Sequence, residues 1–240
     1  MISFVACVKI CAGYEDYVHR LEVYVENIAS FMKLPYEIII VEEKAETFSV
    51  NIKGPFVRVV QYVPEYANPH GYSMIEAYAK NVGIKEAKYP YICVTNADVF
   101  FDADFFESLH HLRQNTFYLY HQYEVPIPLE WTWACVQQSM EGARWINPKI
   151  TSGSIQGVAQ KAGDVMLMHR DGWEMIKGYP ENEVWVHSDL IVCVVVSNNG
   201  IRLEVPKGGV YTYEQPRSFI ERPHEMQTAL LYSDKKTTND

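Results

Sequence analysis

An α/β fold with a mainly parallel central sheet flanked by helices is predicted by three features of the sequence. Apolar strand-like runs recur through the first half of the chain, at Phe4–Val8, Tyr36–Val41, Phe56–Val63 and Tyr91–Thr95. The run at Tyr36–Val41 is apolar almost throughout, the pattern of a strand covered on both faces. Stretches with helical spacing separate several of these runs, and such strand–helix–strand alternation makes right-handed crossovers between parallel strands.

Each element has its own local reason. After Phe4–Val8, the residues Tyr17, Leu21, Tyr24, Val25, Ile28 and Phe31 fall on one face of a helix. Pro35 closes that stretch, and the strand beginning at Tyr36 halts at Glu42-Glu43. The strand Phe56–Val63 leads into a loop rich in turn-forming residues, Pro64–Gly71. Met74–Ala87 reads as a helix with Ile75, Tyr78, Val82 and Ile84 on its inner side. The strand Tyr91–Thr95 then delivers the polar group Asn96-Ala-Asp98. A helix starts near Phe105, with Asp102 or Asp104 as its cap and Glu107 completing a box-like pattern.

The second half changes character. Phe117–Tyr123 reads as a strand, and Glu124–Gly163 as a long segment without clear period, carrying Trp131, Trp133, Trp145 and the Ser/Gly-rich stretch Thr151–Gly157. Asp164–His169 is a strand, and Asp171 caps a short helix that Gly178-Tyr-Pro180 ends. Ser188–Asn198 is a helix closed by Asn199-Gly200, and Ile201–Val205 a strand. No repeat or linker divides the chain. One domain is expected over residues 1–232, with a nucleotide-binding half at about 1–104, an acceptor half at about 105–232, and a frayed tail at 233–240.

Composition narrows the function. With 30 acidic against 21 basic residues and a net charge of −9, a nucleic-acid groove is not expected. An acidic protein that takes a phosphorylated ligand needs a local positive charge, which a divalent cation supplies compactly. The cysteines at 7, 11, 93, 135 and 193 form no CxxC pair, and an odd count without a framework suits a reducing compartment. The N-terminus reads as a strand and not as a signal peptide. The longest apolar run, Leu190–Val196, is far too short to span a bilayer, so a soluble cytoplasmic protein is expected.

Asn96 and Asp98 carry the functional argument. They sit where a buried strand reaches the open edge of the sheet, the place where α/β proteins bind ligands. Hard oxygen ligands there suit Mg²⁺ or Mn²⁺ that also touches a substrate phosphate. Helix capping accounts for Asp102 and Asp104 but not for this pair.

Four segments in one order extend the reading: Glu37–Glu43, Ala79–Ala87, Asn96-Ala-Asp98, and Gly163–Trp173 followed by Gly178-Tyr-Pro180. Together they resemble the family 2-like glycosyltransferases of the GT-A fold, over roughly residues 3–218. The resemblance implies a nucleoside-diphosphate sugar as donor, a carbohydrate or glycoconjugate hydroxyl as acceptor, and inversion at the anomeric carbon. It implies that Glu42 or Glu43 contacts the donor's nucleoside and that Lys80 and Asn81 lie near the donor. It places the metal, Mn²⁺ or Mg²⁺, at Asp98 and Asn96. The family's motif is Asp-x-Asp, and Asn96 replaces its first acid with a neutral carbonyl ligand. Many relatives add a late histidine, which Val210–Ser218 lacks, and His224 is an unproven substitute. The catalytic base falls in Trp185–Asp189, where Asp189 is the natural choice and matching without a gap puts His187 in that position. The tryptophans either stack on an acceptor sugar or pin the long segment to the body.

Two rivals stay open. A catalytically silent carbohydrate- or nucleotide-sugar-binding protein is compatible with the altered motif. A sugar nucleotidyltransferase would need a Gly-rich phosphate loop after the first strand, which Val8–Tyr14 does not supply. No GxGxxG follows any strand, which removes a dehydrogenase.

Overall fold

The structure is a computed structural model that describes residues 1–8, 16–44, 50–63, 76–145, 165–181 and 188–213. Along these residues the chain runs β1 (Ile2–Val8), α1 (Asp16–Phe31), β2 (Tyr36–Glu43), β3 (Val57–Tyr62), α2 (Glu76–Glu86), β4 (Tyr91–Asn96), β5 (Val99–Phe101) and α3 (Ala103–Ser108). It continues with β6 (Thr116–Tyr118), β7 (His121–Val125), α4 (Trp133–Glu141), β8 (Arg144–Trp145), β9 (Val165–His169), α5 (Arg170–Ile176), α6 (Ser188–Asn198), β10 (Arg202–Glu204) and β11 (Gly209–Tyr213).

The large sheet has the order β10-β6-β9-β4-β1-β2-β3, and β9 alone among its strands is antiparallel to its neighbours. The mainly parallel α/β prediction is therefore met. β1 lies between β2 and β4, so the chain order reverses at β1 and opens a crevice at the carboxyl ends of these strands. β5, β11, β7 and β8 form a second, smaller sheet. Asp98 sits in the turn that leads from β4 in the large sheet to β5 in the small one.

α1 covers one face. Its Leu21, Tyr24 and Ile28 are fully buried among Phe4, Ile38 and Phe101, each such side chain being worth about 1.5–3 kcal/mol. Asn27 exchanges two hydrogen bonds with the Phe101 backbone and ties α1 to β5. On the other face α2, α5 and α6 bury Val5, Ile39, Val94, Trp173 and Val192. The expected inner residues of α2, Tyr78, Val82 and Ile84, only flank this core. The buried positions are Ala77, Ala79, Lys80, Asn81 and Gly83, because the helix backbone lies directly on the sheet. A Cβ on Gly83 would stand 2.2 Å from Val5 Cγ1.

Three other expectations change. Phe117–Tyr123 is two strands, β6 and β7, which belong to different sheets; the buried Leu119 and Tyr120 between them make the run look continuous in sequence. The long segment after Glu124 contains α4, capped by Thr132, whose hydroxyl accepts the Cys135 N–H at 3.3 Å. His169 caps α5 in place of Asp171: its Nδ1 accepts the Asp171 N–H. Of the two caps the sequence left open for α3, Asp102 is the one used, and it also accepts from Gly209 N–H and Tyr211 O–H. The Pro64–Gly71 loop, Ile75, the Thr151–Gly157 stretch, His187, His224 and the tail at 233–240 lie outside the described residues. No helix among the described residues is long and apolar enough to cross a membrane.

Candidate functional site

The sheet edge at β1, β2 and β4 gathers most of the residues singled out from sequence. Asn96 ends β4, in register with Cys7 of β1, and Asp98 follows two residues later. The Asp98 carboxylate faces the Arg20 guanidinium at 3.8 Å, and their side chains are only 13% and 14% exposed. Arg20 comes from α1 and lies over two aromatic rings, 4.4 Å from the centroid of Tyr17 and 4.5 Å from that of Trp131. Trp131 meets Tyr213 of β11 edge-on. Burial, and next the negative charge of Asp98, push the Tyr213 phenol well above its ordinary range, while Arg20 pulls the other way.

Arg20, Tyr17 and Tyr213 were not among the site residues expected from the sequence. A signal existed for the first two: Tyr17 and Arg20 are spaced i, i+3, so a cation borders the apolar stripe of α1. Trp133 packs on Phe31 and Phe100 as a pin for α4.

Glu42 and Glu43 belong to β2 and do not follow it, and both are buried. Glu42 accepts the Val50 N–H at 2.6 Å and the Gln61 amide at 2.8 Å, and Glu43 accepts the Tyr62 hydroxyl at 3.0 Å. These bonds hold the chain around the end of β2.

A second cluster lies on the opposite face. Lys80, 1% exposed, reaches Glu76 at 3.0 Å and Asp189 at 3.5 Å, with the Tyr179 ring 5.1 Å from its ammonium. Burial opposes its charge, but Asp189 and Glu76 outweigh it and hold the ammonium well above the ordinary lysine range. Lys80 thus joins α2 to the first turn of α6, two predicted site segments distant in sequence. Burial, with Glu76 next, pushes the Cys7 thiol up to about 12, so Cys7 borders the same cluster as an inert thiol.

Asn81 binds the Gly178-Tyr-Pro180 turn. Its amide donates to Tyr179 C=O and to Glu181, and its carbonyl accepts the Tyr179 N–H. Two of the four segments behind the resemblance are therefore in contact. A cavity of about 690 Å³ lies beside this turn, lined by Asn81, Trp173, Tyr179 and Ile191 and by neither Asp98 nor Arg20.

The metal reading rests on Asn96 and Asp98. Among the described residues no group of three His, Cys, Asp or Glu side chains is placed to hold a metal ion. The donor set is one carboxylate and one neutral amide, and Arg20 balances the carboxylate. With no net negative charge from these side chains, the described residues do not fit a divalent cation by themselves.

No protein-family model and no curated protein matches the chain. Solved structures do. A crystal structure of S. aureus TarS residues 1–349 superposes with a TM-score of 0.67 at 12% identity, covering 99% of this chain and 65% of that one. The same TarS fragment in complex with UDP-GlcNAc gives 0.66 at 12% identity over 99% and 66%. The mannosyltransferase PcManGT from Pyrobaculum calidifontis, in complex with GDP-Man and Mn²⁺, gives 0.56 at 13% identity over 100% and 64%. This chain has a GT-A-like glycosyltransferase fold. It spans just under two thirds of the length of each of these neighbours.

Proposed function

We propose that this chain is a glycosyltransferase that moves a sugar from a nucleoside-diphosphate donor to an acceptor hydroxyl, with inversion. The observation that carries the reading is the joining of Lys80 to Asp189 at the same sheet edge where Asp98 stands. The nucleoside would lie at the end of β2, beside the chain that Glu42 and Glu43 hold through Val50, Gln61 and Tyr62. The diphosphate would lie toward Asp98 and Asn96, where the charge developing on the leaving group needs a cation. The ligands named for the neighbours, UDP-GlcNAc and GDP-Man, are the donor class to try first.

Asp189 takes the proton of the attacking hydroxyl in this reading, as the bond from the anomeric carbon to the diphosphate oxygen breaks. Its side chain is 24% exposed, enough to meet an acceptor, and Lys80 fixes its position. His187, two residues earlier, is the alternative base that the sequence match allows. The test is turnover with a panel of nucleotide sugars, read as nucleoside-diphosphate release with and without acceptors. Asp189→Asn is expected to cut transfer by about 10²–10⁴ with donor affinity unchanged. Loss of turnover in His187→Ala alone moves the base to the histidine. Full activity in both variants removes the start of α6 from the chemistry, and donor binding without release in the wild type favours the silent binding protein.

A further inference from the structure

We propose that Arg20 is the positive group that meets the donor's diphosphate at the Asp98 edge, so that nucleotide binding to this chain does not require a divalent cation. The inference rests on the reading of that edge as a donor site. Arg20 and Asp98 are both largely withdrawn from water and 3.8 Å apart, so the guanidinium is already the counter-charge of the residue that a metal would need. A divalent ion bound by Asp98 would have to displace this pair or stand beside a like charge.

Geometry suits the role. A guanidinium presents five N–H donors in a planar fork, and can serve a carboxylate and a phosphate together. The guanidinium carbon lies over the rings of both Tyr17 and Trp131, contacts that restrain it before any ligand arrives. The side chains around it point the same way. Asn96 brings no negative charge, and on β11 the side chain beside Trp131 is the Tyr213 phenol, a neutral group. Neither group adds charge that would attract a metal, and neither weakens an arginine–phosphate contact. Trp131, from the segment ahead of α4, further ties this cation to the acceptor half.

Calorimetric titration of UDP and of GDP into the full chain, in EDTA and in Mn²⁺, tests the proposal. In the wild type the affinity of whichever nucleotide binds is expected to agree within about threefold between the two conditions. Arg20→Met should lose about 10–100-fold in EDTA, the scale of a charge-assisted contact, and Arg20→Lys should fall between, since it keeps the charge without the fork. Nucleotide binding that disappears in EDTA and returns with Mn²⁺ in the wild type overturns the proposal without any variant. So does a folded Arg20→Met that binds in EDTA as the wild type does. If neither nucleotide binds in either condition, the donor-site reading fails and takes this inference with it.

Discussion

Asn81→Ala is the perturbation with the clearest structural magnitude. The side chain is 9% exposed and bridges α2 to the turn after α5 through three hydrogen bonds at 2.8–2.9 Å. Two of these go to the backbone N–H and C=O of one buried residue, Tyr179, so truncation strands both groups. An average hydrogen bond contributes about 1 kcal/mol, and a stranded buried group costs about 1–3 kcal/mol. The third partner, Glu181, is exposed and recovers its loss from water. The contributions overlap, and a destabilisation of roughly 2–4 kcal/mol is expected. That is a large part of the stability of an ordinary domain, about 5–15 kcal/mol. Urea denaturation followed by circular dichroism should show a lower midpoint with an unchanged slope. Asn81→Asp should not rescue it, because a carboxylate keeps only the acceptor role and faces Tyr179 C=O and Glu181. A loss below about 1 kcal/mol in the alanine variant would refute the reasoning and return Asn81 to direct donor contact.

Two further outcomes follow from the same packing. Gly83→Ala would push a Cβ to 2.2 Å from Val5 Cγ1 and 3.0 Å from Val41 Cγ2, so overpacking of about 1–3 kcal/mol is expected, seen as a fall in Tm by calorimetry. Lys80→Met should leave stability near or above the wild type, since replacing a buried ion by an apolar chain of similar length removes its desolvation cost, while Asp189 and Glu76 retain access to water. The same variant should lower kcat by about tenfold or more with donor affinity unchanged, and an unchanged kcat would sever Lys80 from the positioning of Asp189.

The α/β class, the helix face of α1, a cap at Asp102 or Asp104 and the order of most elements were legible in the sequence, because each depends on residues close together in the chain. The period of Leu21, Tyr24 and Ile28 is a local property, as is a cap three residues from its N–H. So is the placing of Asn96 and Asp98 at a strand end. Contacts that arise only once the sheet has assembled were decided by tertiary structure. Glu42 and Glu43 read as a polar stop to a strand, yet they lie within β2, because Val50, Gln61 and Tyr62 fold over them and satisfy their oxygens. α2 turns Ala, Gly, Lys and Asn inward rather than its larger apolar residues, because its backbone rests on β1 and β2 closely enough that Gly83 has no room for a Cβ, while Lys80 and Asn81 find polar partners beyond the contact. Arg20 meets Asp98 and Trp131, and Lys80 meets Asp189, only because α1 and α2 cover opposite faces of one sheet. Sequence spacing carries no record of such pairs, since the free energy that favours them comes from burial shared among residues remote along the chain.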